Sequence, residues 1–463
     1  MVRLAVRVEV ESAGRAATVR VARGLLPALQ LAPGRHVLSF GTRRVRARVE
    51  EDAGLAPGRV VVPAPVAQRL VLPGALRTSI QRHEEGEIAF GPLIGLMVAP
   101  RVLDRLRGDG LRPPFTAYAR YARELGAVLC VFTAGDVDPR ESAIAGYRPE
   151  TGPGGSWSLL PGRFPVPRVV LRRVFSHEGL ESDPFTARAP GAGCTVLRIG
   201  RITQLEGLSM AARDPDLAPL IPWTRRLGPD TLAAALNQLQ DLFVKPDLPS
   251  GGDGLYRLTR QRQGWRLTRW TPDGPGERWL PDDGAVREAL APLLTAPAVH
   301  LVQESLPLAT YLGNPFDLFA LVQRDGRGQW DVSALLARIA APGRAITSPG
   351  AGGWVAPAEA ALRQAFPRRW SDLAQDVGRV ARAAAQAVDR AGGPRYEVGV
   401  QLALLPDGTV RLVQVDGEPR AEHVTRVHDP YAAQRIHRCP VYCAAGLAVR
   451  WAHGPLPPAG PPA

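Results

Sequence analysis

The hydrophobic pattern changes near residue 89, and this change constrains the fold more than any other feature of the sequence. Before it, short stretches such as LAVRVEVES and RRVRARVE alternate apolar and polar residues, and turns such as LAPGR separate them. Short stretches with a period of two predict β-strands. Residues 1–88 are therefore predicted to form a small N-terminal all-β domain. We expect a structural or docking role for it, because its polar positions form no chemical cluster.

Beyond residue 89, continuous apolar runs replace the alternation. FGPLIGLMVA and AVLCVFTA are typical of buried parallel strands, and PPFTAYARYARELG between them places apolar residues on one helical face. A strand–helix–strand unit of this kind predicts a right-handed crossover on a parallel sheet. Residues 89–200 are therefore predicted to form a compact α/β domain.

The third part, residues 201–450, mixes strands with helices, so the fold class of the whole chain is α/β (α+β). A long helix is predicted near residues 372–391, because apolar residues recur there at helical spacing: Leu373, Val377, Val380, Ala384 and Val388. The string EVGVQLALLPDGTVRLVQVDGEP predicts two strands joined by a PDG turn. The tail, residues 451–463, is rich in proline and glycine and is predicted to be disordered.

The composition indicates a globular protein of the cytoplasm. The N-terminus lacks the apolar core of a signal peptide, and no apolar run is long enough to span a bilayer. Four cysteines without a framework spacing are typical of a reducing compartment. We therefore expect no membrane partner.

The net charge of +13 comes almost entirely from arginine, because only one of the 57 basic residues is a lysine. The arginines are scattered along the chain, which favours a solvated basic surface over a nucleic-acid site. Trp265, Trp270 and Trp330 lie near arginines, but packing within strands is the commoner role of such tryptophans. Nucleic-acid binding is therefore the last of three alternatives.

The single lysine, Lys245, ends the apolar strand DLFVKPD and precedes the Gly-rich loop SGGDG. Glycines let backbone N–H groups approach phosphate oxygens, and lysine supplies a compact cation that the planar arginine fork does not reproduce. A plain hairpin turn is the alternative. The position of the only lysine beside this loop favours a phosphate-binding site.

The order of lysine, Gly-rich loop, strand, apolar hinge and paired terminal strands resembles the ATP-grasp fold. In detail it resembles the YheC/YheD-like, endospore coat-associated family, through strings that include LIPWTRRL, FVKPDLPSGGDGLYRL and SPGAGG. The resemblance covers residues 85–450. It implies an ATP-grasp domain over residues 201–450, ATP and Mg²⁺ as cofactors, carboxylate–amine ligase chemistry if the protein is active, and an association with sporulation.

The resemblance also assigns candidate site residues by position. Lys245 would contact the phosphates, beneath a lid formed by Ser250, Gly251, Gly252 and Gly254. The hinge that holds adenine and ribose corresponds to Gln303, Glu304 and Leu306. Arg338 corresponds to an arginine directed at the phosphates and is the catalytic candidate. A small polar turn is expected near the site, formed by Ser348, Gly352 and Gly353.

The same resemblance brings out departures at the expected metal site. Phe319 replaces an arginine of the family pattern, and Gln401 and Gln414 replace acids, whereas Glu397 persists. Amide oxygens carry no net charge, and magnesium ions that bridge phosphates need hard anionic oxygens. The remaining metal candidates are Gln401 together with Gln414, Asp416 and Glu418, whose spacing of two predicts one shared face of a strand.

These departures favour a degenerate ATP-grasp protein that binds ATP and Mg²⁺ weakly or not at all. Such a pseudoenzyme would serve as a structural or interaction component, with other spore-coat proteins as partners and the forming spore or its coat as location. An active ATP-dependent carboxylate–amine ligase is the first alternative. The sequence does not define the acceptor substrate or the oligomeric state.

A further group of metal-ligating side chains lies near the C-terminus and comprises His423, His428, His437, Cys439 and Cys443. Zinc could use such ligands, but cysteines four residues apart on an apolar helical face are more often packing residues. Cys130, inside an apolar strand, is predicted to lie in the core. Cys194 has no base beside it in sequence and is not expected to be a nucleophile.

Overall fold

The computed structural model describes residues 2–11, 18–83, 86–178, 183–248, 254–271, 274–419, 424 and 429–450. The tail predicted to be disordered, residues 451–463, lies outside this part of the chain. Among the described helices, none is both long and apolar enough to cross a membrane.

The N-terminal unit is a closed β-barrel of seven strands. The strands are β1 (Arg3–Glu11), β2 (Thr18–Ala22), β3 (Gly34–Phe40), β4 (Arg43–Asp52), β5 (Arg59–Pro63), β6 (Leu76–Arg82) and β7 (Ile88–Phe90), and the short helices are α1 (Leu25–Ala28) and α2 (Ala64–Leu70). Their order around the barrel is β1-β5-β2-β4-β3-β7-β6. In β4, buried Val45, Ala47 and Val49 alternate with exposed arginines, which is the pattern that predicted strands here. β7 extends past residue 88, where the sequence placed the end of the domain.

The second unit is a seven-stranded sheet flanked by helices. Its strands are β8 (Leu93–Val98), β9 (Val128–Phe132), β10 (Val137–Asp138), β11 (Ala143–Thr151), β12 (Trp157–Pro165), β13 (Val169–Arg173) and β14 (Thr195–Arg198), and its helices are α3 (Pro100–Gly108), α4 (Phe115–Glu124) and α5 (Pro184–Arg188). β8 pairs in parallel with β9 and β13, which confirms the predicted parallel strands. Two helices, not the single predicted one, connect β8 to β9. Cys130 is fully buried in β9, as predicted.

The third unit contains a six-stranded antiparallel sheet, called here the lysine sheet. Its strands are β15 (Thr224–Arg226), β16 (Asp241–Pro246), β17 (Tyr256–Arg260), β18 (Trp265–Thr271), β19 (Gly274–Leu280) and β20 (His300–Glu304), and its helices are α6 (Gln204–Ala211), α7 (Pro229–Gln238) and α8 (Asp283–Leu294). The strand order is β15-β20-β16-β17-β18-β19. Trp265 and Trp270 are buried in it, so the prediction that they pack within strands is confirmed.

A second six-stranded sheet, called here the arginine sheet, completes the chain. Its strands are β21 (Thr310–Tyr311), β22 (Asn314–Arg324), β23 (Trp330–Ile339), β24 (Trp354–Pro357), β25 (Glu397–Leu404) and β26 (Val410–Asp416), and its helices are α9 (Ala358–Ala365), α10 (Trp370–Gly392) and α11 (Pro430–Arg450). The strand order is β24-β23-β22-β25-β26, with β21 on β22. α10 is the predicted long helix, and its five predicted apolar positions are all buried against this sheet.

The last helix, α11, connects the arginine sheet to the second unit. Near its start, Ile436 packs with Phe319 of β22, and further along Tyr442 makes an edge-to-face contact with Tyr121 of α4. The end of β26 also lies against the second unit, since a Cβ on Gly417 would come 2.1 Å from the carbonyl oxygen of Gly200. Gly417, just after β26, is therefore held beside the second unit.

Candidate functional site

Lys245 lies at the end of β16, on the face of the lysine sheet that meets the arginine sheet. Its Nζ atom donates to Oε1 of Gln303 on β20, at 2.7 Å. The pKa of Lys245 is lowered to about 8, first by burial and then by the positive charge of Arg338, while Asp247 and Asp317 oppose the shift. The lysine is thus half-buried and electrostatically coupled to residues of both sheets.

The Gly-rich loop after Lys245 is described only at its end. Ser250, Gly251 and Gly252 lie outside the described residues. Gly254 has a φ of +69°, and a Cβ added there would come 3.3 Å from Cγ of Pro246. Glycine is favoured here by both its conformation and the close approach of the chain to the strand that carries the lysine.

The predicted hinge bridges the two sheets. Besides accepting from Lys245, Gln303 donates through Nε2 to Oγ1 of Thr224 at 2.9 Å and to the carbonyl oxygen of Val413 at 3.4 Å. Since Val413 belongs to β26, the amide of Gln303 joins the two sheets. It is 3% exposed, so this orientation is fixed by burial.

Glu304 and Leu306 occupy the remainder of the hinge. Glu304 accepts from the backbone N–H of Trp223 at 3.2 Å and forms an ion pair with Arg411 of β26 at 3.6 Å. Leu306 follows β20 and is half-buried. Gln303 and Glu304 therefore lie where the two sheets meet.

Asp317 on β22 organises the opposite wall, and the sequence analysis did not select it. Its carboxylate accepts two hydrogen bonds from Arg338, each of 2.7 Å, one from the hydroxyl of Thr347 and one from Nε2 of Gln401 at 2.7 Å. Asp317 is only 2% exposed. A buried carboxylate must be paired with a cation or with hydrogen-bond donors. The signal in the sequence was therefore an aspartate within the apolar run FDLFALV, which indicates such a paired carboxylate.

Phe319 lies two residues further along the same face of β22. Phe319 is paired with Gln401 on the neighbouring strand β25, and Gln401 is paired with Gln414 on β26. The three departures from the family pattern therefore form one row across the sheet. The guanidinium of Arg338 lies 5.7 Å from the ring of Phe319. The row that would carry an arginine and two acids therefore carries a ring and two amides.

The predicted common face of Gln414, Asp416 and Glu418 is wrong for Glu418. β26 ends at Asp416, and Glu418 turns away to accept from the backbone N–H of Ser176 at 2.9 Å and from its hydroxyl at 2.8 Å. Asp416 itself accepts from the backbone N–H of Glu418 at 2.9 Å. Glu418 does not share the face of Gln414 because the chain leaves β26 after Asp416 and contacts the second unit at Ser176.

Glu397, the acid that persists from the family pattern, lies inside the protein. It is 2% exposed, accepts from Nε2 of Gln323 at 2.8 Å and lies 3.5 Å from Nη1 of Arg173. Burial raises its pKa, and the charge of Arg173 opposes that shift. Among the described residues, no group of three or more His, Cys, Asp or Glu side chains could hold a metal ion. Gln401 and Gln414 offer neutral amide oxygens at positions where the family pattern has carboxylates, the anionic ligands that Mg²⁺ prefers.

The small polar turn lies between β23 and β24. Gly352 has a φ of +86°, and a Cβ on Gly353 would come 2.6 Å from the carbonyl oxygen of Ile339. The turn brings its preceding residue, Thr347, to Asp317. Sequence reasoning selected Ser348, whereas the observed contact to the site is made by Thr347.

The C-terminal histidines and cysteines serve packing where they are described; His423 and His428 lie outside the described residues. The ring of His437 makes an edge contact with Tyr118, with centroids 6.1 Å apart. Burial lowers the pKa of His437 to about 4, and the charges of Arg173 and Arg120 act in the same direction. Cys443 is buried, and Sγ of Cys439 lies 3.6 Å from Oγ of Ser333. The expected packing role fits these contacts.

The lysine sheet and the arginine sheet therefore meet with Lys245 on one side and the Arg338–Asp317 pair on the other. A sequence profile described as YheC/D like ATP-grasp matches residues 203–447. This match spans more than half of the chain, and the chain belongs to the YheC/D-like ATP-grasp family.

Several individual proteins are also similar to this chain. The endospore coat-associated protein YheD of Bacillus subtilis (strain 168) is 24% identical over 408 residues, which cover 82% of this chain and 84% of that protein. The ATP-grasp ligase PsnB, in complex with a minimal precursor, Mg and ADP, is similar at 15% identity and a TM-score of 0.41, over 77% of this chain and 98% of that one. The VanG D-Ala:D-Ser ligase from Enterococcus faecalis gives 10% identity, the same TM-score, and coverage of 76% and 99%.

Proposed function

We propose that the chain is a non-catalytic ATP-grasp protein that binds an adenine nucleotide weakly and without a requirement for magnesium. The observation that carries the proposal is the amide of Gln401, which donates to Asp317 where the family pattern has an acid. A second carboxylate at this position would instead repel Asp317 unless a cation lay between them. The wall is therefore stable without a metal ion.

The cations of the site support binding of the phosphates. Lys245 and Arg338 come from opposite sheets and lie close enough for the charge of Arg338 to lower the pKa of the lysine. Direct contact of these two side chains with phosphate oxygens neutralises charge that magnesium otherwise neutralises. Because Asp317 already engages Arg338 through both of its oxygens, we expect this binding to be weak.

The carboxylates of the site support the absence of phosphoryl transfer. Asp317 is paired with Arg338, Glu397 with Arg173, and Glu418 with Ser176, so each of these three is already engaged by the protein. Phosphoryl transfer depends on metal ions that bridge the phosphates and neutralise developing charge. With these three acids engaged, Asp416 is the remaining candidate ligand, and one of its oxygens already accepts from the backbone N–H of Glu418, so we expect the site to position such ions poorly.

We further propose that the protein acts as a structural component of a spore, together with other coat proteins. The name of the Bacillus subtilis relative, an endospore coat-associated protein, supports this location. Fractionation of sporulating cells of the source organism, followed by immunodetection, tests it. Enrichment in the coat fraction is expected, and a signal confined to vegetative cytosol would contradict it.

An active carboxylate–amine ligase is the second candidate, and the retention of Lys245, Arg338 and Asp416 favours it. Calorimetric titration with ATP in EDTA and in excess Mg²⁺ separates the two, with Lys245→Met as the control that removes the phosphate contact. We expect the two dissociation constants to agree within about threefold, a difference of less than about 1 kcal/mol. Binding at least about tenfold tighter in Mg²⁺, accompanied by ADP release with an acceptor, would establish the ligase.

A further inference from the structure

A cavity separate from the nucleotide cleft lies between the N-terminal barrel and the β11–β12 hairpin of the second unit. Its volume is about 500 Å³. This is within the range of small-molecule sites, which often lie between structural units. Part of its wall is apolar and is supplied by β1 and by α2 with the turn that follows it: Val10, Ala64, Ala67, Val71 and Leu72.

The remainder of the wall carries an excess of positive charge. Three arginines, Arg43, Arg69 and Arg163, line the cavity together with one acid, Glu141. Arg163 forms an ion pair with Glu141, so that carboxylate is already neutralised. Among the described residues, the side chains of Arg43 and Arg69 have no carboxylate partner. Two positive charges therefore remain uncompensated beside an apolar surface.

Arg43 is held in position and yet incompletely satisfied. Its Nη2 atom donates to the backbone carbonyl oxygen of Glu141, which fixes the guanidinium against the hairpin. Its Nε atom is buried and has no hydrogen-bond partner. A buried donor without an acceptor is costly, and an anion beside the guanidinium of Arg43 would offset part of that cost through its charge.

We propose that this cavity binds a small organic anion, with a carboxylate or phosphate head on an apolar body. The arginine fork matches both kinds of head group, because each offers two oxygens to parallel N–H donors. The head lies between Arg43 and Arg69, and the apolar body covers the wall formed by α2 and β1. Neither the nucleotide cleft nor its residues take part.

Calorimetric titration of the full chain with octanoate and octyl phosphate, at constant ionic strength, tests the proposal. Two controls separate the parts of the ligand: octanol has the apolar body without a charged head, and inorganic phosphate has the charged head without an apolar body. We expect saturable binding of octanoate, octyl phosphate or both, at least about fivefold tighter than octanol and inorganic phosphate. The two anionic probes distinguish a carboxylate from a phosphate ligand.

The variants R43M and R69M each remove one charge and keep an apolar stem, and each should weaken binding at least about fivefold. R46M is the matched control, because Arg46 lies on the same strand, is exposed and does not line the cavity. If R43M does not fold, R69M still tests the proposal, because the side chain of Arg69 is exposed and its replacement should not disturb folding. Equal binding of octanol and octanoate, or R69M behaving like R46M, would overturn the proposal. ATP affinity should be the same in all of these proteins.

Discussion

Replacement of Asp317 by asparagine should destabilise the protein and, at the same time, strengthen its binding of ATP. Among the residues that the structure describes, the carboxylate is the only acid paired with Arg338, whose side chain is 15% exposed, and it also orders Thr347 and Gln401. Asparagine keeps one acceptor oxygen but loses the charge and places an N–H₂ group among donors. It therefore leaves the guanidinium largely buried without a counter-charge.

The size of the loss follows from this environment. Removing one partner of a buried ion pair costs about 3–5 kcal/mol. Because Arg338 keeps some contact with water and Gln401 can turn its oxygen to the new amide, we expect the lower end, about 3 kcal/mol. For a unit of this size, that loss lowers the midpoint of thermal unfolding by about 6–12 °C. The released guanidinium becomes available to phosphate, and we expect ATP to bind about tenfold more tightly in EDTA.

Urea unfolding monitored by circular dichroism measures the first effect, and calorimetry in EDTA measures the second. Asp376→Asn is the matched control, because Asp376 forms an exposed ion pair with Arg379 on α10. Such surface pairs contribute less than about 1 kcal/mol. The reasoning is refuted if D317N and D376N unfold at the same urea concentration, or if D317N binds ATP no better than the unaltered protein.

Three further predictions concern single side chains. Because the pKa of Lys245 is about 8, its protonated fraction falls about fivefold between pH 8 and pH 9, and ATP affinity should fall by about the same factor. K245R stays protonated and should show a flat profile by calorimetry. The pKa of His437 is lowered from 6.5 to about 4, so the unfolded chain binds more protons between these values and stability is lost as the pH falls through this window; H437F should reduce that loss in pH-dependent thermal unfolding. G417A should lower the unfolding midpoint, because the new Cβ would overlap the carbonyl oxygen of Gly200, and an unchanged midpoint would show that this close approach is absent.

The sequence predicts features that depend on local periodicity, and it also predicts features marked by a residue type that is rare in this chain. Leu373, Val377 and Val380 follow the 3.6-residue period, and their burial on α10 was foreseeable for that reason. Lys245 was recognisable because it is the only lysine of the sequence and lies beside a Gly-rich loop that follows a strand. The hinge residues Gln303 and Glu304 followed from the resemblance and lie between the sheets.

Features that depend on long-range pairing were not predictable in the same way. Asp317 gathers groups from three distant parts of the chain, and no local pattern announces that they converge. The face of Glu418 was assigned by assuming a regular strand. The strand ends at Asp416, however, and Glu418 beyond it contacts Ser176, 242 residues away in sequence. Helix α3 escaped notice because it is short and rich in arginine.

The dependence of ATP affinity on magnesium, before and after the two acids are restored, tests the central claim most directly. The variant Q401D/Q414E recreates the family pattern, and Q68E/Q261E, which adds the same charge at exposed positions, is the control. We expect the ratio of dissociation constants in EDTA and in Mg²⁺ to lie near one for the unaltered protein and the control, and to exceed about ten for the restored variant. A ratio already above ten in the unaltered protein would show that its site holds magnesium as it stands and would contradict the account.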